Sequence, residues 1–193
     1  MLQVAIEADV PAMLAIYAPY ILTTTYSFEY TVPSKEDFLL RFRKITAQFP
    51  WIVWEENGEI LGYAYGSPPF ERAAYAWCAE SSVYLREDAR GRGIGKKLYA
   101  ALEELLRLQG YQRLYALITG ENRGSLRFHE KCGFSHLAEF PRCGYKFRRW
   151  LSLIWMEKCL NSVEFPINPP KAWLSIGADV QKISNILYNL SLS

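Results

Sequence analysis

The stretch that most narrowly restricts the fold runs from Ser82 to Leu98. Val83, Tyr84 and Leu85 close a β-prone run. Gly91, Gly93 and Gly95 then alternate with other residues, which lets the backbone approach a ligand with no side chain between them. From Ile94 the apolar residues recur at helical spacing, at Leu98, Ala101, Leu102, Leu105 and Leu108. The stretch predicts a buried strand, a glycine-rich loop and the first turn of an amphipathic helix. Such a junction aims unpaired backbone N–H groups and the positive end of a helix dipole at one point, which suits a phosphate or pyrophosphate. Arg90, Arg92, Lys96 and Lys97 add positive charge there.

The rest of the chain reads as strands and helices around that junction. Leu2–Ile6 is a strand, and Asp9 with Pro11 starts a helix bearing Met13, Ile16, Tyr17, Tyr20 and Ile21 on one face. Thr23–Thr31 is a linker, and Ser34 with Asp37 opens a second helix. Asn57-Gly58 between two apolar runs predicts a hairpin. Ala73–Leu85 is expected as one long strand, distorted around Ala79–Ser82. Leu114–Ile118 is another strand, residues 121–131 a loop and short helix, and the final two strands are expected to turn near Cys143-Gly144. After a proline-bearing connector, Val180, Ile183, Leu187 and Leu190 share a helical face that either caps this domain or packs on a second copy. The order predicts an α/β fold of the α+β type, a mixed central sheet with helices on its faces. The expected division is a domain at 1–160 and a C-terminal extension at 161–193.

Composition excludes several classes. Half of the 193 residues are apolar and the net charge is only +2, without the basic stripe of a general nucleic-acid binder. Cys78, Cys132, Cys143 and Cys159 form no CxxC pair, and only His129 and His136 accompany them, so a zinc site is not expected. Reduced thiols in the cytoplasm are expected instead. No apolar run reaches membrane-spanning length, and the N-terminal residues lack the basic segment of a signal peptide.

Two common phosphate loops do not fit. A dinucleotide-binding pattern needs glycine at position 96 or 98, where Lys96 and Leu98 stand; a P-loop needs glycine at 90 and Ser or Thr at 97, where Arg90 and Lys97 stand. Arg90, Gly93 and Gly95 do fit Arg/Gln-x-x-Gly-x-Gly/Ala, which resembles the coenzyme A loop of the GNAT N-acetyltransferases. A second segment, Asn122 to Phe134, resembles the GNAT pattern Asn-x-x-Ser-x-x-x-Tyr/His-Glu-Lys-x-Gly-Phe. Tyr63-Ala64-Tyr65, Arg72–Tyr84 and His129 narrow the resemblance to the phosphinothricin and methionine sulfoximine acetyltransferases, over most of residues 2–160.

The resemblance implies a GNAT-like, mostly antiparallel sheet and acetyl-CoA as acetyl donor. It implies that backbone groups of Val83, Tyr84 and Leu85 pair with the pantetheine arm, that the loop from Arg90 through Gly91, Arg92, Gly93, Ile94, Gly95 and Lys96 holds the pyrophosphate, and that Asn122 and Ser125 support the same cofactor. It assigns Glu80 as general base and His129 as a second catalytic candidate, with the plain alternative of a structural core histidine. Phe28, Arg72 and Trp77 are the expected acceptor-site residues, Arg72 because its planar fork suits a carboxylate. The expected acceptor is a small amino acid or analogue, with peptide acetylation or a non-catalytic CoA-binding module as the rival readings, and a homodimer is expected. Two departures bear on the acceptor: Phe70 stands where relatives often have a basic residue, and Arg148 and Ser152 replace the glycine and aspartate of Gly-x-Lys-x-Gly-x-Trp-x-Asp, while Gly144, Lys146 and Trp150 keep it.

Overall fold

The computed structural model describes residues 1–161, 168–176 and 180–192. Seven strands make one sheet: β1 (Leu2–Val4), β2 (Trp51–Glu56), β3 (Glu59–Ser67), β4 (Cys78–Leu85), β5 (Arg113–Thr119), β6 (Ser135–Lys146) and β7 (Arg149–Cys159). Their spatial order is β1-β2-β3-β4-β5-β7-β6. Every neighbouring pair is antiparallel except β4 and β5, which run parallel. The helices are α1 (Val10–Thr23), α2 (Lys35–Thr46), α3 (Ile94–Gln109), α4 (Arg123–Lys131), α5 (Trp173–Ile176) and α6 (Val180–Leu192).

Strand alternation divides the core into two layers. Trp51 and Val53 of β2 join α1 and α2 in an aromatic-rich cluster with Tyr17, Phe38, Phe42 and Tyr63. Ile52 and Trp54, on the opposite face, join α3 and α6. Leu98, Leu102, Leu105 and Leu106 of α3 are fully buried there, and burying each contributes about 1.5–3 kcal/mol. That packing fixes the helix against the sheet, and with it the glycine loop at the helix start.

The feature that makes a site is the short ladder between β4 and β5. They pair only from Cys78↔Arg113 to Glu80↔Tyr115, although β4 runs on to Leu85 and β5 to Thr119. Beyond Glu80 the two strands part. The other edge of β4 stays in register with β3 from Ser67↔Glu80 to Gly62↔Leu85. The expected distortion at Ala79–Ser82 is therefore a parting of β4 from β5, with no bulge against β3.

Three local expectations need correction, and one open alternative is decided. The strand expected from Ala73 begins at Cys78, because β3 ends at Ser67 and leaves Ala73–Tyr75 to form a 3-10 turn. The last hairpin turns at Phe147-Arg148 rather than Cys143-Gly144, where an irregularity in the β6–β7 register absorbs extra residues instead. Asp9 does not cap α1; its carboxylate accepts from the Ile6 N–H at 2.9 Å. The face of α6 carrying Ile183 and Leu187 lies in the same hydrophobic cluster as α3, so it covers this domain rather than a second copy. Asp179, also assigned to that helix from sequence, lies outside the described residues. Ser34 caps α2 as expected, accepting from the Asp37 N–H at 3.0 Å.

Candidate active site

The wedge between β4 and β5 holds a channel. Its narrow part, about 130 Å³, is lined by Glu80, Ser82 and Tyr84 of β4, Ala116 and Thr119 of β5, and His129 of α4. A wider part of about 450 Å³ runs past Leu85, Arg90, Gly91, Gly95 and Phe128. Tyr20, Tyr26, Val83, Asn122 and Ser125 line both parts, so the two adjoin. Together they extend from the glycine loop to Glu80 and His129.

The edge of β4 supplies hydrogen-bonding groups to this channel. The Arg86 N–H donates to the Leu61 carbonyl at 2.9 Å, which sets the phase of the antiparallel ladder. By alternation, Tyr84 and Ser82 bond to β3, while Val83 and Leu85 turn their N–H and C=O groups toward the wedge. The Tyr20 hydroxyl engages both groups of Leu85: it donates to the carbonyl at 2.6 Å and accepts from the N–H at 3.2 Å. Val83 lies past the last β4–β5 pair, so its groups face the channel. Of the three strand residues singled out in the sequence, Tyr84 instead spends its backbone on β3 and packs its ring on Tyr17 and Tyr20.

The loop has the conformation its glycines permit. Gly91 and Gly93 have φ of 77° and 81°, left-handed values that strain other residues, and a Cβ on either would point into open space. Gly95 is needed for closeness, since a Cβ there would lie 3.3 Å from the Leu85 side chain. Lys96 and Lys97 N–H groups both turn back to the Gly93 carbonyl, at 3.1 and 3.2 Å. The N–H groups of Gly93, Ile94 and Gly95 precede the first helical bonds and have no acceptor within α3. The Ile94 side chain is buried and anchors the turn. The four cations divide. Arg92 pairs with Glu56 at 2.5 Å, and Lys97 donates to the Ser191 carbonyl at 3.0 Å. Arg90, which lies over the Tyr20 ring at 5.2 Å, and the exposed Lys96 remain at the loop.

Desolvation favours the neutral form of both titratable candidates, and so moves their pKa values in opposite directions. Burial pushes the Glu80 carboxyl up to about 7, because the ionised form loses hydration. Among the described residues no side chain donates to it or pairs with it. His129 is buried, and desolvation pushes its pKa down. Its Nδ1 lies 2.8 Å from the Ser125 carbonyl. A carbonyl only accepts, so Nδ1 carries the proton and Nε2 is the open lone pair of a neutral ring. Tyr99, Phe128 and Phe134 box the imidazole, all nearly perpendicular to it. α4 itself is capped by Asn122, whose Oδ1 accepts from the Ser125 N–H at 3.1 Å and leaves its NH₂ group for another acceptor.

The acceptor side is built from the linker after α1. The Thr119 hydroxyl donates to the Thr25 carbonyl at 2.7 Å, and the buried Lys146 ammonium donates to the Ser27 carbonyl at 2.6 Å. These bonds pin the linker across the end of the wedge and place Tyr26 in the channel. The three expected acceptor residues do not converge there. Phe28 lies half-exposed with its ring against Gly144. Trp77 donates its indole N–H to the Asn168 carbonyl at 3.0 Å, on the side of the C-terminal segment. Arg72 lines a separate hollow of about 570 Å³ with Arg41, Lys44, Phe70 and Cys78. Cys78 and Glu80, two residues apart, share a face of β4, so this hollow and the carboxylate lie on one side of the strand. Tyr20 and Tyr26 were missed as site residues: helical spacing puts Tyr20 with the core, and Tyr26 carries no motif.

Comparison with known proteins gives a consistent set of likenesses. Residues 19–134 match the acetyltransferase (GNAT) family. The L-methionine sulfoximine/L-methionine sulfone acetyltransferase of Pseudomonas aeruginosa is 38% identical over 158 residues, 80% of this chain and 91% of that one. The structure of a phosphinothricin acetyltransferase from Sinorhizobium meliloti in complex with AcCoA superposes with a TM-score of 0.83 at 32% identity, over 90% of this chain and 97% of that one. A ribosomal-protein-alanine N-acetyltransferase from Brucella melitensis gives a TM-score of 0.78 at 35% identity, over 82% of this chain and 99% of that one.

Proposed function

The chain belongs to the acetyltransferase (GNAT) family, and from that premise we propose that it transfers acetyl from acetyl-CoA directly to the amino group of a small amino acid or analogue of the phosphinothricin and methionine sulfoximine kind. The observation that carries the proposal is the channel that leads from a glycine loop at a helix start to a partly buried carboxylate raised to about 7. In this reading the free N–H groups of Gly93–Gly95, with Arg90 and Lys96, take the pyrophosphate. The edge of β4 at Val83 receives the pantetheine arm where β5 has departed, since Tyr20 holds both backbone groups of Leu85, and Asn122 and Ser125 line its other side.

An α-amine titrates at about 7.7–8.0 and attacks a thioester only when neutral. A carboxyl near pH 7 takes that proton as base without being fully protonated at neutral pH, and such catalysis typically contributes about 10²–10⁴-fold. The Val83 N–H is the donor for the developing oxyanion. Neutral His129, with Nε2 open, lines the acetyl end and accepts from the incoming amine. The remaining rate comes from holding amine and thioester together. Arg72, on the Glu80 side of β4, binds the acceptor carboxylate. Among the described residues no group of three or more His, Cys, Asp or Glu is placed to hold a metal ion, and direct transfer calls for none.

The test is thiol release from acetyl-CoA with L-methionine sulfoximine, phosphinothricin and a panel of amino acids, with Glu80→Gln alongside. Turnover on a panel member that falls at least about 100-fold in the variant is the expected result. CoA binding with no turnover on any member would overturn the small-acceptor reading. Turnover on peptides alone would then favour the alternative, which the Brucella neighbour's function supports.

We also propose that residues 1–160 are the catalytic domain with 161–193 appended, and that the chain works in the cytoplasm as a homodimer. Free Cys78, Cys132, Cys143 and Cys159 support a reducing compartment. No helix among the described residues is long and apolar enough to cross a membrane. The edge strand β6 exposes Leu137, Phe140 and Tyr145 beside Phe147 and Trp150, a face that a second copy would cover. Light scattering that shows a monomer at micromolar concentration would overturn the dimer.

A further inference from the structure

We infer that the C-terminal segment is a strap that positions the cofactor helix, and that Lys97 is the residue through which it acts. This rests on the reading of the α3 loop as the pyrophosphate site. The family model matches residues 19–134, and the described residues beyond Leu160 meet α3 near both of its ends. At the C-terminal end of α3, the Gln109 amide donates to the Lys171 and Gln48 carbonyls at 2.8 and 2.7 Å, and the Lys171 N–H returns to the Gln109 carbonyl at 2.8 Å. Trp173 and Ile176 of α5 are buried beside it. α6 then brings Ile183 and Leu187 into the core cluster that holds Leu98, Leu102 and Leu105. At the N-terminal end of α3, Lys97 donates to the Ser191 carbonyl at 3.0 Å, and the Ser191 hydroxyl accepts from the Leu2 N–H at 2.8 Å.

The placement of Lys97 is the telling detail. It is the second lysine after the glycine loop, and its charge is turned away from the channel, over the Trp54 ring at 5.2 Å and onto the last turn of α6. A cation at a helix C-terminus satisfies an otherwise unpaired carbonyl and complements the dipole. The same residue is four positions after Gly93 and donates its backbone N–H to the Gly93 carbonyl at 3.2 Å. The last turn of α6 and the first turn of α3 are thus joined by one residue, one peptide turn from the N–H groups that face the pyrophosphate. Displacement of α6 loosens that turn, and a ligand that orders the turn tightens α6. Strap docking and cofactor binding are therefore coupled in both directions.

The test uses the full chain with Lys97→Met, which keeps the apolar stem and removes the grip on Ser191. Acetyl-CoA KM, acceptor KM and kcat are measured together with hydrogen exchange over residues 180–192, with and without CoA. The acetyl-CoA KM is expected to rise about five- to tenfold, the scale of one ordinary hydrogen bond, with kcat and the acceptor KM held within about twofold. CoA is expected to slow exchange in α6 of the native chain and to do so less in the variant. An unchanged acetyl-CoA KM, an equal loss in kcat, or α6 exchange indifferent to CoA in the native chain would each overturn the inference. If Lys97→Met does not fold, Leu187→Ala, which thins the strap's contact with α3, is judged on the same criteria. A native chain that binds no CoA would instead overturn the reading of the loop.

Discussion

Replacing Glu80 with glutamine should make the protein slower and more stable at once. Folding raises this carboxyl from the ordinary 4.5 to about 7 by removing it from water, with no partner cation to offset the loss. The folded state then binds the proton more tightly than the unfolded chain between those two values, so stability falls as pH rises through that window. At pH 8 the ionised carboxylate costs about 3 kcal/mol relative to the unfolded state, and at pH 5 under about 1 kcal/mol. Glutamine keeps the shape and carries no charge, so Glu80→Gln should gain up to that amount at pH 8 and little at pH 5. For a chain of this length, about 3 kcal/mol corresponds to a rise in Tm of about 6–12 °C. Thermal melts of both proteins at pH 5 and pH 8 measure it directly. The native kcat/KM should rise with pH through about 7 as the base ionises, and the variant should lose that limb along with about 10²–10⁴ of rate. A variant whose Tm at pH 8 equals or falls below the native value, or whose gain is the same at both pH values, would refute the argument that desolvation sets the state of Glu80.

Other outcomes follow from the loop and the last hairpin. Gly93→Val forces a β-branched residue to φ of 81° in the path of the free N–H groups; steady-state kinetics should show the acetyl-CoA KM up by about tenfold or more, since a left-handed residue costs about 1–2 kcal/mol before any clash with the ligand. An unchanged KM would remove the loop from the cofactor site. Arg148 holds φ of 63°, at the position where the family pattern expects glycine, so Arg148→Gly should gain about 0.5–1 kcal/mol once glycine's looser unfolded state is subtracted. The melt should move up by about 1–4 °C, and Arg148→Ala should not move it up.

The two hairpins show where sequence is legible and where it is not. Asn57-Gly58 and Phe147-Arg148 both place two successive residues at positive φ. The first pair is chemically suited to that conformation and announces its turn. The second pair is not, and its turn is set by the register that couples Tyr145 to Trp150 and Lys146 to Arg149 across the hairpin. A local rule found the first and pointed four residues too early for the second. The same contrast holds at the site. The glycine loop and the start of α3 were legible because they are contiguous, and backbone chemistry alone demands glycine there. Tyr20 was not, because its function depends on a hydroxyl reaching the backbone of Leu85, 65 residues away. Arg92 and Lys97 drew attention by proximity to the loop and Trp77 through the family resemblance, and each has a long-range partner, in Glu56, Ser191 and Asn168.

By itself the sequence determined the alternation of strands and helices, the glycine loop at the start of α3 and the family to which its motifs point, because each is written in neighbouring residues whose backbone preferences or apolar periodicity are local. Tertiary structure alone decided that β4 and β5 part after Glu80, that partial burial without a cationic partner pushes this carboxyl up, and that the described C-terminal residues pack against α3. Those outcomes depend on which distant surfaces exclude water from one another, a property of the packed whole that no window of the chain contains.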